Sequence, residues 1–347
     1  MKGKIQKRII GCFSGLVAFL CMCSLISLKN EGSTPVQNQP QQTQYETQQE
    51  KQQETQTEVR ETFRLDESKL NIELPEELTE QDIQISNDYV NHTISIRFAK
   101  AAEHYLEEYD ILGSRSHVEN LTYYEEGVLE INLDMACEIF YSFEENYLCM
   151  EIKDLHEVYE KIVVIDAGHG GSQPGAVEDE VCEKSLNLEI VQKLKALLDD
   201  VDEKKLKVFY TRLEDSDVSL QARVNMANQL NADLFISVHN NAAPDESYYH
   251  YNGTMVLYSQ RQSEDQSRRL AQICLENVIG SCGSGNEGLV EGDEIYIIRK
   301  SKVPVALIEV GYMTNAEEFE KLCNSEYQRK VAQGIYNAIM QAFEEGF

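Results

Sequence analysis

No two of the nine cysteines form a CxxC pair, which leaves neither a zinc ribbon nor a dense disulfide scaffold. Basic residues are also scarce: 31 Lys and Arg stand against 60 Asp and Glu, a formal net charge of −29. Nucleic acid and anionic membrane surfaces are bound through clustered Lys and Arg, so this balance argues against both as partners through bulk electrostatics. Residues 31–62 have hardly a large apolar side chain, as in VQNQPQQTQYETQQEKQQETQTE. Such a stretch cannot bury enough surface to offset its ordering entropy, and without an apolar heptad it does not read as a coiled coil. It is expected to be a disordered Gln/Thr/Glu-rich linker.

What is present divides the 347 residues further, and the length suffices for about two domains. At residues 1–30, Lys2, Lys4, Lys7 and Arg8 precede an uncharged, mostly apolar run at 9–28, close to the ~20 residues that cross a bilayer. Cys21-Met22-Cys23 is a poor cleavage exit, so an uncleaved signal-anchor is expected rather than a signal peptide removed on secretion to the cell wall. Either places the bulk of the chain outside the cytoplasm, because the basic flank stays within. Cys12, Cys21 and Cys23 lie in this run. Of the other six, Cys137 with Cys149 and Cys274 with Cys282 are candidate bridges, and most are expected to be buried thiols.

Residues 63–157 alternate apolar and polar side chains in short stretches (LNIEL, HTISIRF, GVLEINLDM, EIFYSF, YLCMEI), the period of two of half-buried strands. A small mainly-β domain is expected there. Its His92, His104 and His117 stand apart, with no ligand pattern around them. From 158 to 347 apolar strand runs alternate with amphipathic stretches: KIVVID, a helix through Leu186, Ile190, Leu194 and Leu197, KVFYTR, the helix LQARVNMANQLNA, DLFISVH, GTMVLYS, the helix SEDQSRRLAQICLENVI, a short strand EIYII, PVALIEVG, and a terminal helix. That order predicts the α/β class, with a mostly parallel twisted sheet flanked by helices.

In such sheets functional groups gather at the carboxyl ends of the strands. There stand Asp166 and His169, in VVIDAGHGGSQPGAV (163–177), His239 in SVHNNAA and Glu309 in ALIEVGYMTN, while Glu183 opens the first helix. A shell of His169, Glu183 and His239 suits one zinc ion, with net charge near +1 and a position left for water. Glu309 is then the spare carboxylate, able to take a proton from that water and return it to a departing amine. Gly168, Gly170 and Gly171 are expected to bend the chain and keep space open beside the metal. Asp166 either orients His169 or caps the turn. Asn187, one helical turn after Glu183, and Asn240 either bind substrate, brace the site or act as caps. Arg212 and Arg223 either contact substrate carboxylates or form structural ion pairs.

The motifs VVIDAGHGGSQPGAV, EKSLNL, TRLEDSDVSLQARVNMAN, ADLFISVHNNA and VPVALIEVGYMTN, in this order over residues 161–347, resemble the zinc-dependent N-acetylmuramoyl-L-alanine amidases of bacterial cell-wall turnover. The resemblance implies zinc on His169, Glu183 and His239, Glu309 as catalytic carboxylate, and peptidoglycan as the substrate, cut between the lactyl group of N-acetylmuramic acid and L-alanine. A zinc peptidase cutting within the stem peptide, or a non-catalytic wall-binding protein, are the competing readings. Some such amidases carry a long helix over the zinc after the second histidine motif. Here only APDESYYHYN precedes GTMVLYS, so an open site is expected. No protein partner is evident, and the β domain is distantly similar in pattern to wall-targeting modules.

Overall fold

The protein is represented by a computed structural model that describes residues 64–100, 104–243, 251–261 and 265–347. The anchor run, the linker, and residues 244–250, on which the open-site expectation rests, lie outside the described residues. Among the described residues no helix is long and apolar enough to cross a membrane.

The alternating stretches of the first part become strands β1 (Leu70–Glu73), β2 (Ile83–Asp88), β3 (Thr93–Phe98), β4 (Ile111–Gly113), β5 (Val118–Tyr124), β6 (Val128–Leu133), β7 (Cys137–Glu144) and β8 (Tyr147–Asp154), with a short helix α1 (Tyr105–Glu108). They form two antiparallel sheets, β4-β1-β8-β7 and β2-β3-β6-β5. Leu70, Ile72, Leu148 and Met150 of the first sheet share one enclosed core with Ile94, Ile96, Leu129 and Ile131 of the second. Sequence periodicity passes over β2, β4 and β5, whose residues are at best half-buried and so lack an apolar face strong enough to read.

The second part opens with α2 (Leu155–Val158) and continues β9 (Ile162–Ala167), a small ribbon β10 (Val177–Glu178) and β11 (Val181–Cys182), α3 (Glu183–Leu198), β12 (Lys207–Tyr210), α4 (Leu220–Gln229), β13 (Leu234–Asn241), β14 (Thr254–Tyr258), α5 (Gln266–Cys282), β15 (Asn286–Glu291), α6 (Tyr296–Lys300), β16 (Val305–Tyr312), α7 (Ala316–Leu322) and α8 (Ser325–Glu344). The sheet runs β12-β9-β13-β16-β14-β15, every pairing parallel except β14 with β16. Val163, Ile165, Val238 and Ile308 pack on α3, α5 and α8 on one face. Ile162, Val164, Phe235 and Leu307 pack against α4 and α6 on the other. The chain leaves β9 toward β12 on one side and returns to β13 on the other. That reversal opens a crevice at the carboxyl ends of β9 and β13.

Two expectations fail. EIYII is not a strand; its last three residues open the short helix α6, whose Ile297 and Ile298 are buried against the sheet, and a run of four apolar residues has no period that separates the two states. The strand there is β15, NEGLVE, a polar edge strand on which Gly288 takes a positive φ of 85°, and polar edges carry little sequence signal. Cys137 and Cys149 do lie on neighbouring strands, yet they face Asp154 and Ser142 and not each other. All six described cysteines are free, Cys274 and Cys282 included.

Candidate metal centre

The spacing of α3 explains how a carboxylate is buried at a sheet edge. Its enclosed positions, Glu183, Leu186, Asn187, Ile190, Val191, Leu194 and Leu198, follow helical periodicity along one stripe. The apolar members dock on the sheet, and Glu183 and Asn187, in the first turns, are carried over its rim. His239 comes from the sheet itself, near the end of β13. Beside it in parallel register stands Glu309 of β16, so both side chains leave the same face. His169 lies two residues past β9 with a left-handed φ of 61°.

These groups converge. His169 Nε2 is 3.1 Å from Glu183 Oε2 and His239 Nδ1 is 3.0 Å from Glu183 Oε1. The imidazoles cross edge-to-face with centroids 4.9 Å apart. One ligand atom from each of the three residues lies within 4.8 Å of the others. Tetrahedral coordination at zinc-like bond lengths needs about 3.3–3.5 Å between ligand atoms, so small rotations would seat an ion. The side chains of His169, His239 and Glu183 are 32%, 16% and 7% exposed, which leaves approach from the His169 side.

The carboxylate is tightly held. Glu183 Oε1 accepts from Asn187 Nδ2 at 3.2 Å and Asn240 N at 3.2 Å, and Oε2 accepts from Ala176 N at 3.0 Å. Asn240 Nδ2 in turn donates to Asn187 Oδ1 at 2.7 Å. The two asparagines are buried, so they brace Glu183 and do not face substrate. Burial opposes ionisation of Glu183, but the two histidines outweigh it and hold its carboxyl well below the ordinary range. Burial also opposes the charged form of His239, yet Glu183 and Glu309 raise its affinity for a proton. Glu309 has no such donors among the described residues. Its Oε2 is enclosed without a hydrogen-bond partner among the described residues, and burial, with Glu183 adding to it, pushes the carboxyl up to about 7 against the pull of His239.

Asp166 does not reach His169. Its carboxylate accepts from Thr211 Oγ1 and Ser237 Oγ, each at 2.6 Å, and pairs with the Arg223 guanidinium. Alternation explains this: Asp166 and Ser237 are register partners on the α4 face, where Arg223 is a buried residue of α4. Burial opposes its ionisation, yet Arg223 and the hydroxyls hold the carboxyl below its usual range. Neither a ligand-orienting carboxylate nor a simple turn cap describes it. Arg223 and Arg212 are 3% and 4% exposed and bond inward, so neither is placed to meet a substrate carboxylate.

The glycines serve protein contacts and leave no open space. A Cβ on Gly168 would stand 2.2 Å from Cε1 and Nε2 of His239, and one on Gly170 would stand 2.4 Å from the Ser216 carbonyl oxygen. Gly175, which sequence reading passed over, would place a Cβ 2.3 Å from Glu183 Oε2. Gly168→Ala should therefore displace His239, lowering stability by about 1–3 kcal/mol and weakening ion binding at least tenfold. Gly280→Ala in α5 is the control: nothing lies within 4 Å of that Cβ, and alanine should add up to about 1 kcal/mol. Thermal unfolding and a metal competition assay read both.

Residues 163–341 match the family Amidase_3, N-acetylmuramoyl-L-alanine amidase. The chain is 33% identical over 185 residues to the YqiI protein of Bacillus subtilis, covering 53% of this chain and 86% of that one. It is 30% identical over 199 residues to the germination-specific N-acetylmuramoyl-L-alanine amidase of the same organism, 53% of this chain and 81% of that protein. With LytC, another N-acetylmuramoyl-L-alanine amidase of B. subtilis, identity is 33% over 181 residues, 52% of this chain but only 35% of LytC. The crystal structure of an N-acetylmuramoyl-L-alanine amidase from Clostridium difficile 630 superposes with a TM-score of 0.51 at 29% identity, over 54% of this chain and 98% of that one. A match that spans half the chain and takes in His169, Glu183, His239 and Glu309 is decisive: the protein belongs to the Amidase_3 family of N-acetylmuramoyl-L-alanine amidases.

Proposed function

We propose that the chain cleaves the amide between the lactyl group of N-acetylmuramic acid and L-alanine in peptidoglycan, with one zinc ion held by His169, Glu183 and His239. The observation that carries this reading is the convergence of two imidazoles on one braced carboxylate, beside the Glu309 carboxyl, whose Oε2 has no hydrogen-bond partner among the described residues. The mixed nitrogen and oxygen donor set suits zinc, whereas calcium and magnesium favour oxygen alone. When bound, zinc supplies Lewis-acid activation of water and of the scissile carbonyl.

The chain's own residues do the rest. Glu309 accepts the proton of the attacking water and delivers it to the alanine nitrogen as the carbon–nitrogen bond breaks, leaving a lactyl carboxylate and a free amine. Asn187 and the Asn240 amide hold Glu183 in place throughout. The substrate places the action outside the cytoplasm, and the lysine-flanked run at 9–28 is the segment that would tether the enzyme there, unless cleavage releases it to the wall. The β-rich part at 63–157, with a core of its own, is in the same reading a wall-targeting module.

Digestion of purified peptidoglycan by the full chain, with and without a chelator, tests this reading. New amino-terminal alanine with intact stem peptides is expected, abolished by chelation and restored by zinc. Shortened peptides would instead support a stem-peptide peptidase, and an active preparation free of metal would end the zinc assignment.

A further inference from the structure

His169 is the one candidate ligand outside regular structure, and it adopts a left-handed backbone conformation that side chains other than glycine rarely take. Such a residue persists only where its surroundings over-determine it. Two buried arginines do so. Arg212 Nε and Arg223 Nη1 each donate to the Ala167 carbonyl at 2.8 Å. Arg212 Nη2 donates to Gly168 O at 2.8 Å, and Arg223 Nη2 donates to His169 O at 2.6 Å. Three consecutive carbonyls leading into the ligand are thus gripped by two planar forks.

The forks are themselves anchored. Arg223 pairs with Asp166 and donates to Val218 O at 3.1 Å. Arg212 donates to Lys184 O at 2.8 Å and Glu214 O at 3.2 Å. Because Lys184 follows Glu183, Arg212 joins the His169 loop to the start of the helix that carries the carboxylate. A lysine keeps the charge at either position but cannot address two or three carbonyls in one plane.

We propose that Arg212 and Arg223 are positioning residues that hold His169 in its left-handed conformation and so set the affinity of the centre for its ion; this rests on the assignment of His169, Glu183 and His239 as ligands. The arginines act through the backbone and touch neither ion nor substrate. Their effect is on ligand geometry, which distinguishes them from residues that only support the fold.

The test uses the full chain and its Arg223→Lys, Arg212→Lys, His239→Ala and Ile339→Ala variants. The last removes a fully buried side chain of α8, remote from the rim. Zinc affinity is read by competition with a chromophoric chelator, geometry by the visible absorption band of the cobalt form, and folding by the melting temperature of the metal-free protein. Both arginine variants are expected to bind zinc about 10–100-fold more weakly and to alter the cobalt band, while Ile339→Ala lowers the melting temperature and moves neither. Arginine variants that fold and bind zinc as the parent does would overturn the proposal. So would variants that fail to fold with or without zinc, since the arginines would then hold the fold and not the ligand. If the parent binds no zinc, or His239→Ala binds it unchanged, the ligand assignment itself fails and the proposal falls with it.

Discussion

Glu309→Gln should retain the metal and lose most of the turnover, by about 10²- to 10⁴-fold, the usual worth of a general acid–base group. The substitution keeps the shape of a side chain that lies beside His239 in the sheet but removes its capacity to take up a proton. Metal affinity should stay near that of the parent, because Glu309 is not among the three convergent ligands. Stability supplies an independent check. Burial raises the folded carboxyl to about 7, whereas an unfolded glutamate titrates near 4.3. Between those values the folded metal-free protein holds more protons than the unfolded one, so its stability falls as pH rises through the window. Glutamine removes that loss, and metal-free Glu309→Gln should be at least as stable as the parent above pH 7. A bound cation would pull the carboxyl down, which confines this comparison to protein stripped of metal. Parental turnover in a folded, metal-loaded Glu309→Gln would remove Glu309 from the chemistry.

The four residues were legible because each ends or interrupts a one-dimensional pattern: His169 follows KIVVID, His239 closes the apolar run of DLFISVH, Glu309 interrupts the apolar run of PVALIEVG, and Glu183 stands at the head of a periodic helix. Strand alternation and helical period fix which side such residues leave from, and a parallel sheet aligns the strand ends. The partners of Asp166 were not legible for a related reason. Which of His169, Ser237 and Arg223 it meets depends on the face against which α4 packs, a contact across more than fifty residues that no local period encodes. Gly168 was visible as a turn residue, but its reason, the ring of His239 from another strand, is a three-dimensional one. The same holds for α6 and β15, where a short apolar run and a polar edge strand invert the usual signals.

His239→Ala should weaken metal binding by about 10³-fold, and activity should fall with it. If three side chains share a binding free energy of about 10–16 kcal/mol, deleting one removes roughly 4 kcal/mol, or ~10³ in dissociation constant. The variant also empties the space that excludes a side chain at position 168, where an added Cβ would stand 2.2 Å from the His239 ring. The two substitutions must therefore be non-additive. Gly168→Ala, costly in the parent, should cost little stability when introduced together with His239→Ala, since the methyl group enters the vacated volume. Exogenous imidazole, free to occupy the same cavity, should restore part of the metal binding in the single variant and less in the double, where the methyl group competes for the space. Additive stability losses across this cycle would mean that Gly168 is held by something other than the imidazole, and that the close approach of β9 to β13 does not set the metal centre.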